Sequence, residues 1–256
     1  MVDASHDHFS ILYNLISKDF KIRYRNMSLG IFWSLLNPLI MVAVLTYVFT
    51  RIFPNPVIHS FPLFVLIGLL PFNFFSLAWA SGTNSILDNA PLVKKVRFHN
   101  EVIPLSVVLG NVIHFLIQMI LLMVMIELFG LGFNRQWIWL PVVLGLEIAF
   151  VSGLALAFSA LDVYYRDTRY VVESANLVLF WLVPIFYSHD RVPRDFVWLY
   201  EYNPVAAVVL ACRLIFLNGV APSGSLMLKL ALVSFGALAG GFLLFGRMKK
   251  RFADYL

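Results

Sequence analysis

The chain has 256 residues, of which 61% are hydrophobic and only 13% charged. Soluble domains carry about 25% charged residues, so this chain cannot cover itself with a water-compatible surface, and a soluble enzyme or binding domain is excluded. The net charge of +5 does not point to nucleic acid, because the basic residues sit mostly between the apolar runs, where they set membrane orientation.

The pattern predicts an all-α integral membrane protein with a single transmembrane domain over residues 1–256. A span needs about 20 apolar residues to cross about 30 Å of hydrocarbon. Before the first such run, Phe9, Leu12, Tyr13, Ile16 and Phe20 fall on one helical stripe, with Lys18, Lys21 and Arg23 mostly off it. Residues 9–24 are therefore expected to form an amphipathic helix in the membrane interface, an anchor that can also belong to a cytoplasmic docking surface. About thirty residues precede the first apolar run, and that run is long enough to stay in the bilayer, so no cleavable signal is expected.

Six segments qualify as spans: 31–53, 62–80, 104–129, 137–161, 171–187 and 226–246. Between the second and third, Asp88-Asn89-Ala90-Pro91 reads as a helix start with a capping side chain and an early proline. Leu92, Val93 and Val96 then alternate with Lys94, Lys95 and Arg97, giving a short amphipathic segment over 87–101 that is more than a topology signal. After the fourth span, Asp162-Val163-Tyr164-Tyr165-Arg166-Asp167-Thr168-Arg169-Tyr170 reads as an interfacial turn able to meet a protein surface.

The 14-residue apolar stretch Pro204–Leu217 is in the length class of re-entrant segments. Charge decides its topology. With six spans, Lys18, Lys21, Arg23, Arg25, Lys94, Lys95, Arg97, Arg166, Arg169, Arg247, Lys249, Lys250 and Arg251 share one side. Only Arg51, Arg135, Arg191, Arg194, Arg213 and Lys229 are left for the other. Positive residues stay cytoplasmic, so both termini are expected inside, and Pro204–Leu217 dips in and returns on the outer side.

Polar groups inside spans are few. Glu147 lies mid-depth in the fourth span, with Gln118 at similar depth in the third and Asn111 and His114 nearer the cytoplasm. A buried carboxyl marks a proton or substrate site or an interhelical hydrogen bond; a Glu147–Gln118 bond is the simpler reading, since a proton path needs more than one acid. Gly236-Ala237-Leu238-Ala239-Gly240 and Ser152-Gly153 are read as small-residue packing. No G-x-x-x-x-G-K-[ST], H-E-x-x-H or G-x-S-x-G occurs, so no catalytic residue, metal ligand or cofactor is assigned to this chain. Cys212 is the sole cysteine and cannot form an intrachain disulfide.

The run Arg23-Tyr24-Arg25-Asn26-Met27-Ser28-Leu29-Gly30-Ile31-Phe32-Trp33-Ser34-Leu35-Leu36-Asn37-Pro38 resembles the approach to the first span of type-2 ABC polysaccharide exporters. Arg166-Asp167, Pro184-Ile185-Phe186-Tyr187 and Tyr202-Asn203-Pro204 are similar to later landmarks of that family. The resemblance implies a permease of the bacterial cytoplasmic (inner) membrane. It implies a homodimer with two ATPase subunits, which carry ATP and Mg, and a lipid-linked polysaccharide as substrate, O-antigen first. It marks Arg23, Tyr24, Arg25, Leu29 and Gly30 as the motif leading into the first span. It makes Asn89, Leu92, Val93, Lys94, Lys95, Val96 and Arg97, with Arg166 and Asp167, the ATPase-coupling face, and residues 188–222 the outer gate.

It further implies that the first and fifth spans line the conduit. Trp33, Tyr47, Phe49, Phe180, Trp181, Phe186 and Tyr187 are then either rings over which sugars slide or rings that contact lipid and neighbouring helices. An exporter of small lipids or drugs with the same architecture, and an ATP-independent carrier or intramembrane enzyme, are the alternatives.

Overall fold

The computed structural model describes residues 12–18, 32–52, 60–95, 99–188 and 203–256, and among them every regular element is a helix. A short helix α1 spans 12–18. Then come α2 (Phe32–Tyr47, continued by a π turn Val48–Ile52), α3 (Phe61–Asp88), α4 (Ala90–Lys95) and α5 (Val102–Leu128). A 3-10 turn (Arg135–Trp139) leads into α6 (Leu140–Tyr164), followed by α7 (Thr168–Leu182), α8 (Pro204–Phe216) and α9 (Gly224–Met248). The turn Lys249–Arg251 and α10 (Phe252–Tyr255) close the chain.

Five stretches are long and apolar enough to cross a membrane: Phe32–Ile52, Phe61–Asp88, Val102–Leu128, Arg135–Tyr164 and Gly224–Arg251. The segment expected as a fifth span, 171–187, is helical only as far as Leu182. Its helix α7 has 15 residues, about 22 Å of rise. Pro184 ends it: the residue before a proline is pushed out of the helical region, and Val183 is extended at φ −73°, ψ 133°.

The bundle is built around α3, which packs against α2, α5, α6, α7 and α8. Of its most apolar window 78% is buried, against 17% for α2 and 22% for α9, so α3 is the central helix and the other two are peripheral. It also runs eight residues past the expected end at Ala80. Five of those residues are polar, yet Ser81, Thr83 and Ser85 turn their hydroxyls back onto the carbonyls of Leu77, Trp79 and Gly82 (2.6, 2.8 and 2.6 Å). Hydroxyls so occupied need neither water nor a partner helix, and the helix continues.

Glycine decides one helix contact. A Cβ on Gly153 of α6 would lie 2.4 Å from the Ala237 carbonyl of α9, and one on Gly241 would lie 2.2 Å from the Gly153 oxygen. The two backbones touch. The small-residue seam is therefore Ala237 and Gly241, one position along from the expected Gly236 and Gly240, which face open space.

The expected Glu147–Gln118 bond is not formed. The Gln118 amide donates instead to the Ser34 carbonyl of α2 at 2.9 Å. The reason lies in α2 itself: Pro38 sits inside it and has no N–H to offer the carbonyl four residues earlier, which is that of Ser34. In hydrocarbon such a carbonyl must find another donor, and Gln118 supplies it. Both Glu147 oxygens are buried without a hydrogen-bond partner among the described residues. We expect Gln118→Leu to destabilise the fold by about 1–2 kcal/mol. In a Pro38→Ala background the helix satisfies Ser34 itself, so the same change should lose most of its effect. Equal losses in both backgrounds, measured by thermal denaturation in detergent, would refute this account.

Candidate functional site

Two regions at opposite ends of the bundle hold the residues singled out by sequence. At one end the helix-breaking Pro184 produces a short irregular stretch that brings rings together. Phe186 stacks on Phe49 from the end of α2, centroids 5.1 Å apart and planes 21° apart. It also meets Trp181 at 5.3 Å, Tyr187 at 5.3 Å and Phe180 at 6.0 Å. Five of the seven candidate conduit rings thus form one cluster spanning the ends of α2 and α7. Trp33 and Tyr47 lie on the exposed side of α2, outside it. Within the cluster Phe186 is buried and Trp181 exposed.

Two polar side chains hold this irregular stretch. The Tyr187 hydroxyl donates to the carbonyls of Trp181 and Leu182 (3.1 and 2.9 Å), closing the C-terminal end of α7. Arg213 of α8 reaches across and donates from Nη2 to the Ile185 carbonyl at 2.6 Å. The same guanidinium lies 3.5 Å over the Phe64 ring and contacts the Phe64 carbonyl at 3.4 Å. Gly68 makes room for it, since a Cβ there would sit 3.0 Å from Nη2. Arg213 is therefore a buried cation joining α8, α3 and the end of α7. In the sequence Arg213 stands out as a charge inside a 14-residue apolar stretch, a signal stronger than its place in the basic tally.

Helix α8 is held at both of its ends. Asn203 caps α8, its side-chain oxygen accepting from the Val205 and Ala206 amides (3.0 and 3.4 Å). Asn134 donates to the Ile215 carbonyl at 2.9 Å, tying the far end of α8 to the turn that starts α6. Of the proposed gate 188–222, residues 189–202 lie outside the described residues.

At the opposite end a second apolar cluster joins Leu15 of α1, Ile86 of α3, Ile103 of α5, Leu156, Ala160 and Val163 of α6, Phe245 of α9 and Phe252 of α10. The N-terminal helix, the α3–α5 connection, the α6–α7 turn and the C-terminus thus meet at one end of the bundle. Leu15 is the buried residue of α1, whereas Tyr13 of the predicted apolar stripe is exposed.

The loop helix α4 sits on this cluster. Leu92 and Val93 are partly buried against it, while Pro91 and Lys94 are exposed. Asn89 joins α3 to α4: its backbone carbonyl accepts from the Leu92 and Val93 amides, while its side chain caps neither amide of α4, the amide donating back to the Ser85 carbonyl and the oxygen accepting from Lys18 at 2.8 Å. In the neighbouring turn Tyr165, Arg166 and Asp167 are exposed. Of the other coupling candidates only the backbone of Lys95 is described, and Val96 and Arg97 lie outside the described residues, as do Arg23, Tyr24, Arg25, Leu29 and Gly30.

Multiple spanning helices, a ring cluster at one end and a charged, ordered face at the other define a multi-pass membrane protein of the transporter class. Residues 11–217 match the ABC-2 type transporter family, and the chain belongs to it. It is 30% identical over 249 residues to an O-antigen export system permease protein RfbA of Klebsiella pneumoniae, covering 97% of this chain and 95% of that one. An O-antigen export system permease protein RfbA of Myxococcus xanthus is 28% identical over 258 residues, covering 99% and 98%. The polysialic acid transport protein KpsM of Escherichia coli is 25% identical over 241 residues, covering 90% of each.

Proposed function

We propose that this chain is the permease subunit of an ATP-driven exporter that carries lipid-linked polysaccharide, O-antigen first, across the bacterial inner membrane. The observation that carries this reading is the near end-to-end similarity to proteins named as O-antigen export permeases. The chain works as a homodimer with two ATPase subunits that bind ATP and Mg. The face bearing Lys18, Lys94, Arg166, Lys249 and Lys250 is cytoplasmic, in keeping with the excess of positive charge there.

In this reading α7 and the stretch after it make a sixth crossing, and α8 enters and leaves from the outer side. A 15-residue helix rises about 22 Å, short of the roughly 30 Å of hydrocarbon, so the irregular stretch after it has to complete the crossing. Irregular backbone at that depth is tolerated only where protein groups satisfy it. The bonds from Arg213 and Tyr187 to the carbonyls of Ile185, Trp181 and Leu182 do this.

The ring cluster supplies the conduit wall. A long polymer must be held weakly at many points, and aromatic faces offer broad contact with little directionality. At the other end Pro91, Lys94, Arg166 and Asp167 meet the ATPase, while Leu92 and Val93 fix α4 to the permease.

Deleting the chain should abolish surface O-antigen while lipid-linked polymer accumulates inside, and an ATPase should copurify with the tagged protein. Replacing Phe180 and Trp181 together by Ala should lower export at least severalfold with complex levels unchanged, since each ring contributes about 0.5–1.5 kcal/mol beyond its buried area. Unchanged surface polymer after deletion would overturn the reading; unchanged export in the double variant would remove the rings from the path.

A further inference from the structure

We propose that the ion pair between Glu101 and Lys249 is a positioning contact for energy coupling, making α9 move with the loop that meets the ATPase. This rests on the exporter reading above. Glu101 immediately precedes α5, at the end of the loop that begins with α4, and Lys249 immediately follows α9. Their side chains meet directly. The helices they terminate do not pack chiefly on each other: α9 lies along α6, and α5 lies along α3 and α6. The ion pair therefore bridges two helices that the bundle otherwise joins through an intermediary.

Two neighbouring contacts give the bridge a firm base. The Tyr164 hydroxyl at the end of α6 donates to the Met248 carbonyl at 2.8 Å, fixing the last turn of α9 one residue from Lys249. Phe252, three residues on, is buried in the cluster that holds Leu15 and Ile103. The pair is also more than a solvated surface contact. The second carboxylate oxygen of Glu101 is buried without a hydrogen-bond partner among the described residues, so the carboxylate depends on Lys249. Lys249 keeps 34% of its side chain exposed and can return to water when the pair is broken.

That asymmetry makes the test specific. Purified complex of the full chain with its ATPase, in proteoliposomes of inner-membrane lipid, is assayed for polymer exported per ATP hydrolysed. Lys249→Met strands the half-buried carboxylate and should lower that ratio about fivefold, the scale of a contact worth about 1 kcal/mol. Glu101→Gln leaves a neutral group and a rehydrated lysine; its ratio should fall less, with hydrolysis retained. The exchange of Glu101→Lys with Lys249→Glu should return the ratio to within about twofold of the parent. Should Lys249→Met fail to assemble, Glu101→Gln carries the comparison.

A second measurement asks whether the two ends stay together through the cycle. With Cys212→Ala, the pair Glu101→Cys and Lys249→Cys is crosslinked. The proposal expects ready crosslinking and continued export. A parent ratio in both single variants, loss of export on crosslinking, or a fall of export and hydrolysis in step with folded complex would overturn it. Absence of ATP-dependent export by the unaltered complex would instead sink the exporter reading itself.

Discussion

Gly153→Val should keep α6 and α9 from closing against each other, and most of the protein should be lost from the membrane. Overpacking a core costs about 1–3 kcal/mol when side chains can shift aside. Here the new Cβ alone would lie 2.4 Å from the carbonyl carbon and oxygen of Ala237. Those are backbone atoms in mid-helix, so relief requires moving a whole helix and the loss should exceed that range. Gly241→Val should behave alike, because its Cβ would lie 2.2 Å from the Gly153 oxygen. Gly236→Val and Gly240→Val supply the contrast: nothing lies within 4 Å of either Cβ position, and folded yield should be close to that of the parent. The measurement is the monodisperse fraction recovered in detergent for the four variants. Equal yields across the set would refute the close-contact account.

Arg213→Met should disable export more completely than any single ring replacement. The substitution keeps much of the apolar length but removes the donor to Ile185. A buried carbonyl is then unpaired, at about 1–3 kcal/mol, and the cation over Phe64 is lost, worth about 2 kcal/mol in a desolvated site. Arg213→Lys retains the charge but cannot span the Ile185 carbonyl and the Phe64 ring with one planar group, and should recover only part of the function. Surface polysaccharide and thermal stability should be read together for each variant. Parent-like export by Arg213→Met would show that the guanidinium does not hold the stretch after α7 in its working position.

Much of the helical pattern was legible because lipid leaves few options. With no water to satisfy the backbone, apolar length specifies helices, and four long expected spans, beginning near Ile31, Pro62, Pro104 and Trp137, fall on α2, α3, α5 and α6. The sixth falls on α9 in the same way. The fifth falls on α7 only as far as Leu182, because Pro184 acts on local backbone geometry while hydropathy averages over it. The end of α3 was misjudged for the opposite reason: serine and threonine look like a loop unless their hydroxyls are known to bond back along the helix.

Pairings were the least legible. Gln118 finds Ser34, a residue 84 positions away, and nothing in a one-dimensional pattern selects it over Glu147, although Pro38 announced that a carbonyl would need a donor. The site divides likewise. Aromatic residues of the first and fifth segments could be named in advance, and Phe49, Phe180, Trp181, Phe186 and Tyr187 do meet. Rotation about the axis of α2 was not legible, and it leaves Trp33 and Tyr47 outside the cluster. Arg213 and the pair Glu101–Lys249 owe their importance to partners distant in sequence.

The length of α3, which stays helical through Pro71, has a mechanical consequence. Its 28 residues make a rod of about 42 Å, with Phe61 and Phe64 at one end and the residues just before α4 at the other. A tilt of about 5° would displace one end relative to the other by about 4 Å, comparable to the thickness of an aromatic ring and reached with no bond broken along the rod. Because other helices enclose it, α3 cannot swing alone: a thrust delivered at Asp88 arrives at Phe64, and so at the guanidinium of Arg213, as a displacement shared with its neighbours. The molecule has the makings of a lever whose short stroke at the α4 end is felt at the far end of the bundle.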